Sequence, residues 1–181
     1  MVLIPTTYLE MLRPPEGSPL AAPVPVPGVT VIAERLSFKD YMPLWQSVGE
    51  PLDWDGRLLM PREAVETLLA NPHTDIHVLR VGSTTAGFCE FNRPDPPDSE
   101  IKYFGLKPEF QGKRLGRHLL DAALRAHWAV ANPRRIWLHT DTWDDARALP
   151  LYERAGFRVF ARHDLPETAL EAHYRAAIGL A

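Results

Sequence analysis

From residue 29 onward the apolar positions change period repeatedly, and each change predicts a new element. Residues 29–36 hold a β-branched run suited to a strand. Residues 39–48 then place Tyr41, Leu44, Trp45 and Val48 at helical spacing, so Trp45 belongs to a core-facing stripe. Residues 61–70 open on Pro61, a residue favoured at the first helical position, and continue with Ala64, Val65, Leu68 and Leu69, predicting a second helix. Residues 75–81 and 85–92 read as two strands joined by the hairpin signal Gly82-Ser83-Thr84. A loop over 94–99, rich in Pro and Asp, leads to a strand over 100–106. Residues 112–131 predict a long helix with Leu115, Leu119, Ala123, Ala126 and Val130 along one face, closed by Asn132-Pro133. A strand over 135–140 alternates Ile136 and Leu138 with Trp137 and His139. A helix over 144–155 ends at Gly156 and should kink at Pro150. Residues 157–163 form a last strand, and the tail over 166–181, with Leu170, Tyr174 and Ile178 at steps of four, reads as helical. The predicted class is α/β, a single domain whose mixed, mostly antiparallel sheet is flanked by helices.

Ahead of this alternation, residues 6–12 suit a short strand and residues 13–28 carry six prolines, including Ala22-Pro-Val-Pro-Val-Pro27. Proline fixes φ and supplies no N–H, so this stretch is extended and reads as a linker. The strand before it need not join the main sheet. It either caps its own sheet or crosses to a second copy, which leaves a homodimer open. The chain thus divides into 1–28 (strand and linker), 29–163 (the main domain) and 164–181 (tail).

Composition narrows the function. A chain of 181 residues with 45% hydrophobic and 24% charged positions is long enough to bury a full core. Its net charge of −3 argues against nucleic acid as a partner. Cys89 is the only cysteine, which rules out an internal disulfide and a Cys-rich zinc site, and no metal is expected. No run approaches the roughly 18 apolar residues that span a bilayer, and the first residues lack the basic and apolar regions of a signal peptide. A cytoplasmic protein with no membrane partner is the expectation.

The segment from Glu100 to Leu120 carries the chemistry. It reads as a strand, a stop at Pro108, a glycine-containing turn and the start of the long helix. A helix N-terminus presents unpaired N–H groups and partial positive charge, a ready site for phosphate. Gly112 and Gly116 carry no Cβ, so a ligand can approach the backbone. Lys113, Arg114 and Arg117 crowd the end of the helix where the macrodipole disfavours cations, at about 0.3–1 kcal/mol each. A bound anion reverses that sign.

The pattern Pro108-x-x-Gln111-Gly112-x-x-Leu115-Gly116 resembles the acetyl-CoA diphosphate signature of the GNAT N-acetyltransferase superfamily, with Gln111, Arg114 and Gly116 on its core positions. Arg114 departs from the family's usual central glycine. The second family signature is present as Leu151-Tyr152-Glu-Arg-Ala-Gly156-Phe157. The resemblance covers roughly residues 30–163 and implies a GNAT fold with acetyl-CoA as co-substrate. It implies that the backbone of Gln111, Gly112, Lys113, Arg114, Leu115, Gly116 and Arg117 grips the diphosphate. The Phe104 amide would polarise the thioester carbonyl, and Leu106 would pair with pantetheine. Tyr152 matches the tyrosine that in many members donates a proton to the coenzyme thiolate or contacts its sulfur; the alternative is a helix residue packed on the sheet. Asp145 falls where the family often has a coenzyme-contacting asparagine, and the change removes a donor.

An alkyl ammonium of pKa about 10.4 is roughly one part in a thousand neutral near pH 7, so a positioned base is useful. Glu100 leads, because it precedes Gln111 by the offset of the base in the family's histone-acetylating branch. The competing reading is an ion pair with Lys102 on the same strand face. Glu90 is the reserve and His139 the third candidate. Asp53, Trp54 and Asp55, between the first two helices, fall where the family builds part of its acceptor wall; carboxylates around a tryptophan suit a cationic amine. The alternative there is an ordinary polar loop tacked down by Trp54. These residues imply an N-acetyltransferase acting on a small-molecule primary amine. A protein or peptide amine, or a non-catalytic acyl-CoA sensor, are the alternatives. The chain has neither Gly-x-Gly-x-x-Gly nor a P-loop Gly-Lys-Ser/Thr.

Overall fold

A computed structural model describes residues 3–21, 26–94 and 96–166. Seven strands form one sheet: β1 (Leu3–Met11), β2 (Val29–Glu34), β3 (Thr74–Val81), β4 (Thr84–Asn92), β5 (Asp98–Leu106), β6 (Arg135–Asp141) and β7 (Arg158–Pro166). Their order is β2-β3-β4-β5-β6-β1-β7. Among the described residues only β5 and β6 run parallel; the other five pairings are antiparallel. The mixed, mostly antiparallel α/β class expected from the periodicity is the one observed.

Helices α1 (Phe38–Gly49) and α2 (Arg62–Ala70) cover one face, α3 (Leu115–Ala131) and α4 (Ala148–Ala155) the other. The α1 stripe is as its spacing predicts: Tyr41, Leu44, Trp45 and Val48 are all buried. Ser37 caps the helix by accepting from the Asp40 N–H. Under α3, Leu115, Leu119, Leu120, Ala123 and Leu124 pack on Leu79, Phe91, Ile136 and Leu138.

Four expectations need correction. First, β1 lies inside the sheet, pairing Leu9 with Leu138 of β6 on one side and Val159 of β7 on the other. The proline-rich stretch after it is no free linker where described. Arg125 of α3 donates to the carbonyls of Glu16, Gly17 and Ser18, and the Leu20 N–H donates to Asp121. Second, α3 starts at Leu115, and Ala126 and Val130 face solvent, Val130 at 85% exposure. Steps of four drift about 40° per step on a helix of 3.6 residues per turn; the buried stripe instead alternates threes and fours through His127 and Trp128. Third, α4 begins at Ala148, so Pro150 sits in its first turn, where no N–H has an intrahelical acceptor to lose and no kink is imposed. Fourth, β7 extends to Pro166, past the expected end at 163. The helix expected in the tail lies outside the described residues from 167 on.

A polar cluster fastens the C-terminal half of α3 to the sheet. His127 stacks flat on Phe91, centroids 4.1 Å apart, with Nδ1 3.2 Å from Asp75 and Nε2 2.9 Å from Ser99 Oγ. His77 meets the same Phe91 ring edge-on. Burial first, then the charge of His127, hold the His77 imidazole down to about 4 against an upward pull from Asp75. Above pH 6.5 neither folded nor unfolded His77 is charged. Below it the unfolded chain takes a proton that the folded chain refuses, so stability should fall by about 1.4 kcal/mol per pH unit, roughly 3 kcal/mol by pH 4. His77→Gln should flatten that slope in urea titrations between pH 6.5 and 4.5. Equal slopes in both proteins would refute the assignment.

Candidate active site

The parallel pair opens the molecule. Among the described residues β5 and β6 pair only over 98–100 against 135–137, although β5 continues to Leu106 and β6 to Asp141. Beyond Glu100 the strands diverge, and the edge of β5 facing β6 has backbone groups with no ladder partner. A pocket of about 180 Å3 lies in this splay. Its walls come from the α1–α2 connection (Asp53, Trp54, Asp55), from β5 (Lys102, Tyr103, Phe104), from β6 (His139, Asp141), and from Trp143, Asp144 and Tyr152.

The turn leading into α3 has the conformation that a helix-end phosphate site needs. Gly112 takes φ +74°, and a Cβ there would meet nothing within 4 Å. Arg114 is the N-cap residue at φ 61°, also left-handed. That conformation explains why glycine is usual at this position in the resembling family; an arginine adopts it at about 1–2 kcal/mol. The N–H groups of Leu115, Gly116 and Arg117 lack intrahelical acceptors by position, and the first turn of α3 contains no acidic residue. Leu115 itself is buried in the core. Lys113 folds back on its own turn, donating to the Glu109 carbonyl at 2.8 Å and lying over Phe110. Arg114 and Arg117 stay exposed. A Cβ on Gly116 would come only within ordinary contact distance of the Leu106 and Phe104 side chains. Gln111 donates to the Leu106 carbonyl at 3.3 Å.

Tyr152, on α4, is 7% exposed and packs edge-on against Phe104 and Phe157 at centroid distances of 6.0 Å. Burial, then the negative charge of Asp144, raise its pKa well above the ordinary phenol value. It therefore stays protonated. Asp144 accepts from Thr140 Oγ1 at 2.8 Å, and burial raises its own pKa. His139 projects from β6 beside Tyr8 of β1, ring centroids 5.8 Å apart.

The two glutamates expected as bases lie elsewhere. Glu90 is fully buried and accepts from Arg57 Nη2 and from the Tyr41 hydroxyl, both at 2.5 Å. Arg57 Nε also donates to Tyr41, and its guanidinium covers the Tyr103 ring at 4.8 Å. Burial opposes the charge on Arg57 most strongly, but Glu90, Tyr41 and Tyr103 together outweigh it and raise the pKa. Glu100 pairs with Lys102 Nζ at 3.3 Å, and its side chain is 7% exposed; Lys102, not Glu100, lines the pocket. Trp54 does tack its loop to the body, lying 5.0 Å from Tyr103 and 5.9 Å from Trp45. A Cβ on Gly49 would come within 2.5 Å of its ring. The pocket thus brings together Asp53, Trp54, Asp55, Phe104, His139 and Tyr152. It leaves out Glu90 and Glu100.

Sequence reasoning passed over Arg57, Asp141, Trp143, Asp144 and Arg147. The run Thr140-Asp-Thr-Trp-Asp-Asp145 just ahead of the tyrosine motif is the signal that could have found the second group. A larger crevice of about 820 Å3 runs between α3, α4 and the proline-rich strap; of the expected site residues it holds only Arg117.

Residues 38–157 match the model of the acetyltransferase (GNAT) family. The chain is 33% identical over 101 residues to the N-alpha-acetyltransferase RimI of Mycobacterium tuberculosis, covering 54% of this chain and 61% of that protein. It is 38% identical over 63 residues to the mycothiol acetyltransferase of Propionibacterium freudenreichii, covering 35% of this chain and 20% of that one. The chain thus spans about three fifths of the first of these relatives and a fifth of the second. The fold is shared with a GNAT family acetyltransferase from Elizabethkingia anophelis solved with acetyl-CoA bound, at TM-score 0.57 and 16% identity over 75% of this chain and 79% of that one. With both sequence signatures, the splayed β5–β6 pair and the α3 turn inside the matched span, the chain belongs to the GNAT acetyltransferase family.

Proposed function

We propose that this chain is an N-acetyltransferase that moves the acetyl group of acetyl-CoA to a small, cationic primary amine held in the pocket beneath Trp54. The observation that carries the reading is the placement of Tyr152 in the wall of an acid- and tryptophan-lined pocket, in the splay that the α3 turn borders. Four aspartates (53, 55, 141 and 144) and two tryptophans line it, a setting that attracts an ammonium group. At the other end, the unpaired N–H groups of α3 and the absence of acid in its first turn suit the coenzyme diphosphate. When bound, the coenzyme supplies a thioester whose C–S bond breaks as the amine N–C bond forms.

The chain's residues handle the charges and protons of that exchange. The Phe104 N–H, on the unpaired edge of β5, is the donor for the carbonyl oxygen. Tyr152 gives its proton to the departing sulfur. His139, which lines the pocket where Glu100 does not, takes the proton from the amine. A protein N-terminus as acceptor is the second reading, favoured by the 33% identity to RimI.

Release of free thiol from acetyl-CoA, measured across a panel of diamines, amino acids and short peptides with free N-termini, tests both. Turnover on the small amines is expected. Turnover on peptides alone would move the assignment to the second reading. Thermal stabilisation by CoA, about 2.7 kcal/mol at a hundred times Kd, with no thiol released on any acceptor, would make the chain a coenzyme-binding protein and defeat the enzyme reading.

A further inference from the structure

Beside the turn before α3 stands a further cation, Arg147, whose role rests on the coenzyme reading above. Asp145 and Arg147 lie on the β6–α4 connection, while Gln111 lies on the turn before α3. Arg147 joins the two. Its Nε donates to Asp145 Oδ1 at 2.8 Å, and its Nη2 donates both to Asp145 Oδ2 and to Gln111 Oε1, the latter at 3.0 Å. Asp145 Oδ1 also accepts the backbone N–H of Arg147 at 2.9 Å. Gln111 completes the bridge through its bond to the Leu106 carbonyl at the end of β5.

The Arg147 side chain is 66% exposed, so burial does not demand the pairing. Hydrogen bonding from Arg147, against the effect of burial, holds the Asp145 carboxyl down to about 2, so a full negative charge stands beside the phosphate-seeking end of α3 at any working pH. A guanidinium fork accepts a carboxylate or a phosphate with the same two-point geometry. We propose that Arg147 is a ligand of the coenzyme diphosphate kept in reserve by Asp145, the phosphate oxygens displacing the carboxylate when the coenzyme docks. Asp145 then lowers coenzyme affinity and makes no contact of its own, the opposite of the role expected from its alignment with the family's asparagine.

The two partners therefore carry opposite signs, which a plain brace between loops would not. Calorimetric titration of the full chain with coenzyme A tests this on the wild type, Arg147→Ala, Asp145→Asn and the double variant. Asparagine keeps an oxygen to accept the Arg147 N–H, and both side chains reach solvent, so melting temperatures should stay close to wild type. Arg147→Ala is expected to weaken binding about tenfold or more. Asp145→Asn is expected to tighten it about fivefold, by removing one like charge near the diphosphate and freeing the fork. The part of that gain due to freeing the fork should disappear in the double variant, leaving only the smaller part due to the lost like charge. Weaker binding in both single variants, an unaffected Arg147→Ala, or a gain that persists in full without Arg147 would each overturn the proposal. A wild type showing neither heat nor thermal stabilisation with coenzyme A would remove the coenzyme reading itself.

Discussion

Arg57→Ala is expected to lower the melting temperature by about 6–20 °C. Removing one partner of a buried pair costs roughly 3–5 kcal/mol, and a chain of this size loses about 2–4 °C per kcal/mol. Arg57 is 2% exposed and Glu90 is fully buried, so truncation leaves a carboxylate in the α1 face of the core with only the Tyr41 hydroxyl to answer it. Replacing both charges with apolar side chains, Arg57→Met with Glu90→Leu, should recover much of the loss, because desolvating the pair is itself costly. The same substitution should loosen the acceptor wall, since Arg57 anchors the connection that carries Asp53, Trp54 and Asp55. A rise in KM for the amine is the second readout. Differential scanning calorimetry of the single and double variants decides the matter: a single variant within 1 °C of wild type would mean that Glu90 tolerates isolation.

Tyr152→Phe should reduce kcat by about a hundredfold or more, the scale of a lost general acid. The ring remains, so its contacts with Phe104 and Phe157 and the packing of α4 are kept. Coenzyme affinity and melting temperature should change little. Because burial and Asp144 raise the phenol pKa well above its usual value, the wild-type rate should not fall through pH 10 from loss of this proton. Single-turnover measurements with preloaded acetyl-CoA separate the chemical step from product release. An unchanged chemical rate in the phenylalanine variant would hand the thiolate's proton to solvent and remove Tyr152 from catalysis.

What could be read beforehand was whatever has a short-range physical signature. The stripe of Tyr41, Leu44, Trp45 and Val48 declares α1 because helical geometry repeats within a few residues. The Gly82-Ser83-Thr84 turn declares the β3–β4 hairpin for a similar reason, and the turn before α3 is legible from its glycines and misplaced cations. The splay, by contrast, depends on where the parallel ladder stops, a property of two strands far apart in the chain. Arg57 and Glu90 are 33 positions apart, and nothing local in a polar loop or in Phe88-Cys-Glu-Phe91 announces that they will meet. Glu100 matched the spacing of a base, yet spacing places a residue along a strand without saying which neighbour will neutralise it. Lys102 does so here.

The position of β1 has a consequence for how the molecule is made. Among the described strands β1 is synthesised before the others yet belongs between β6 and β7, the two synthesised after them, so its backbone amides have no ladder partner until nearly all of the described residues have been made. Closing that gap requires contacts across most of the chain, the kind that slows folding. Until then β6 and β7 each present a raw edge to any other extended segment nearby. β1 itself is guarded while it waits: Pro5 sits within it and a row of prolines follows in the sequence, and proline is a poor recruit for an intruding ladder.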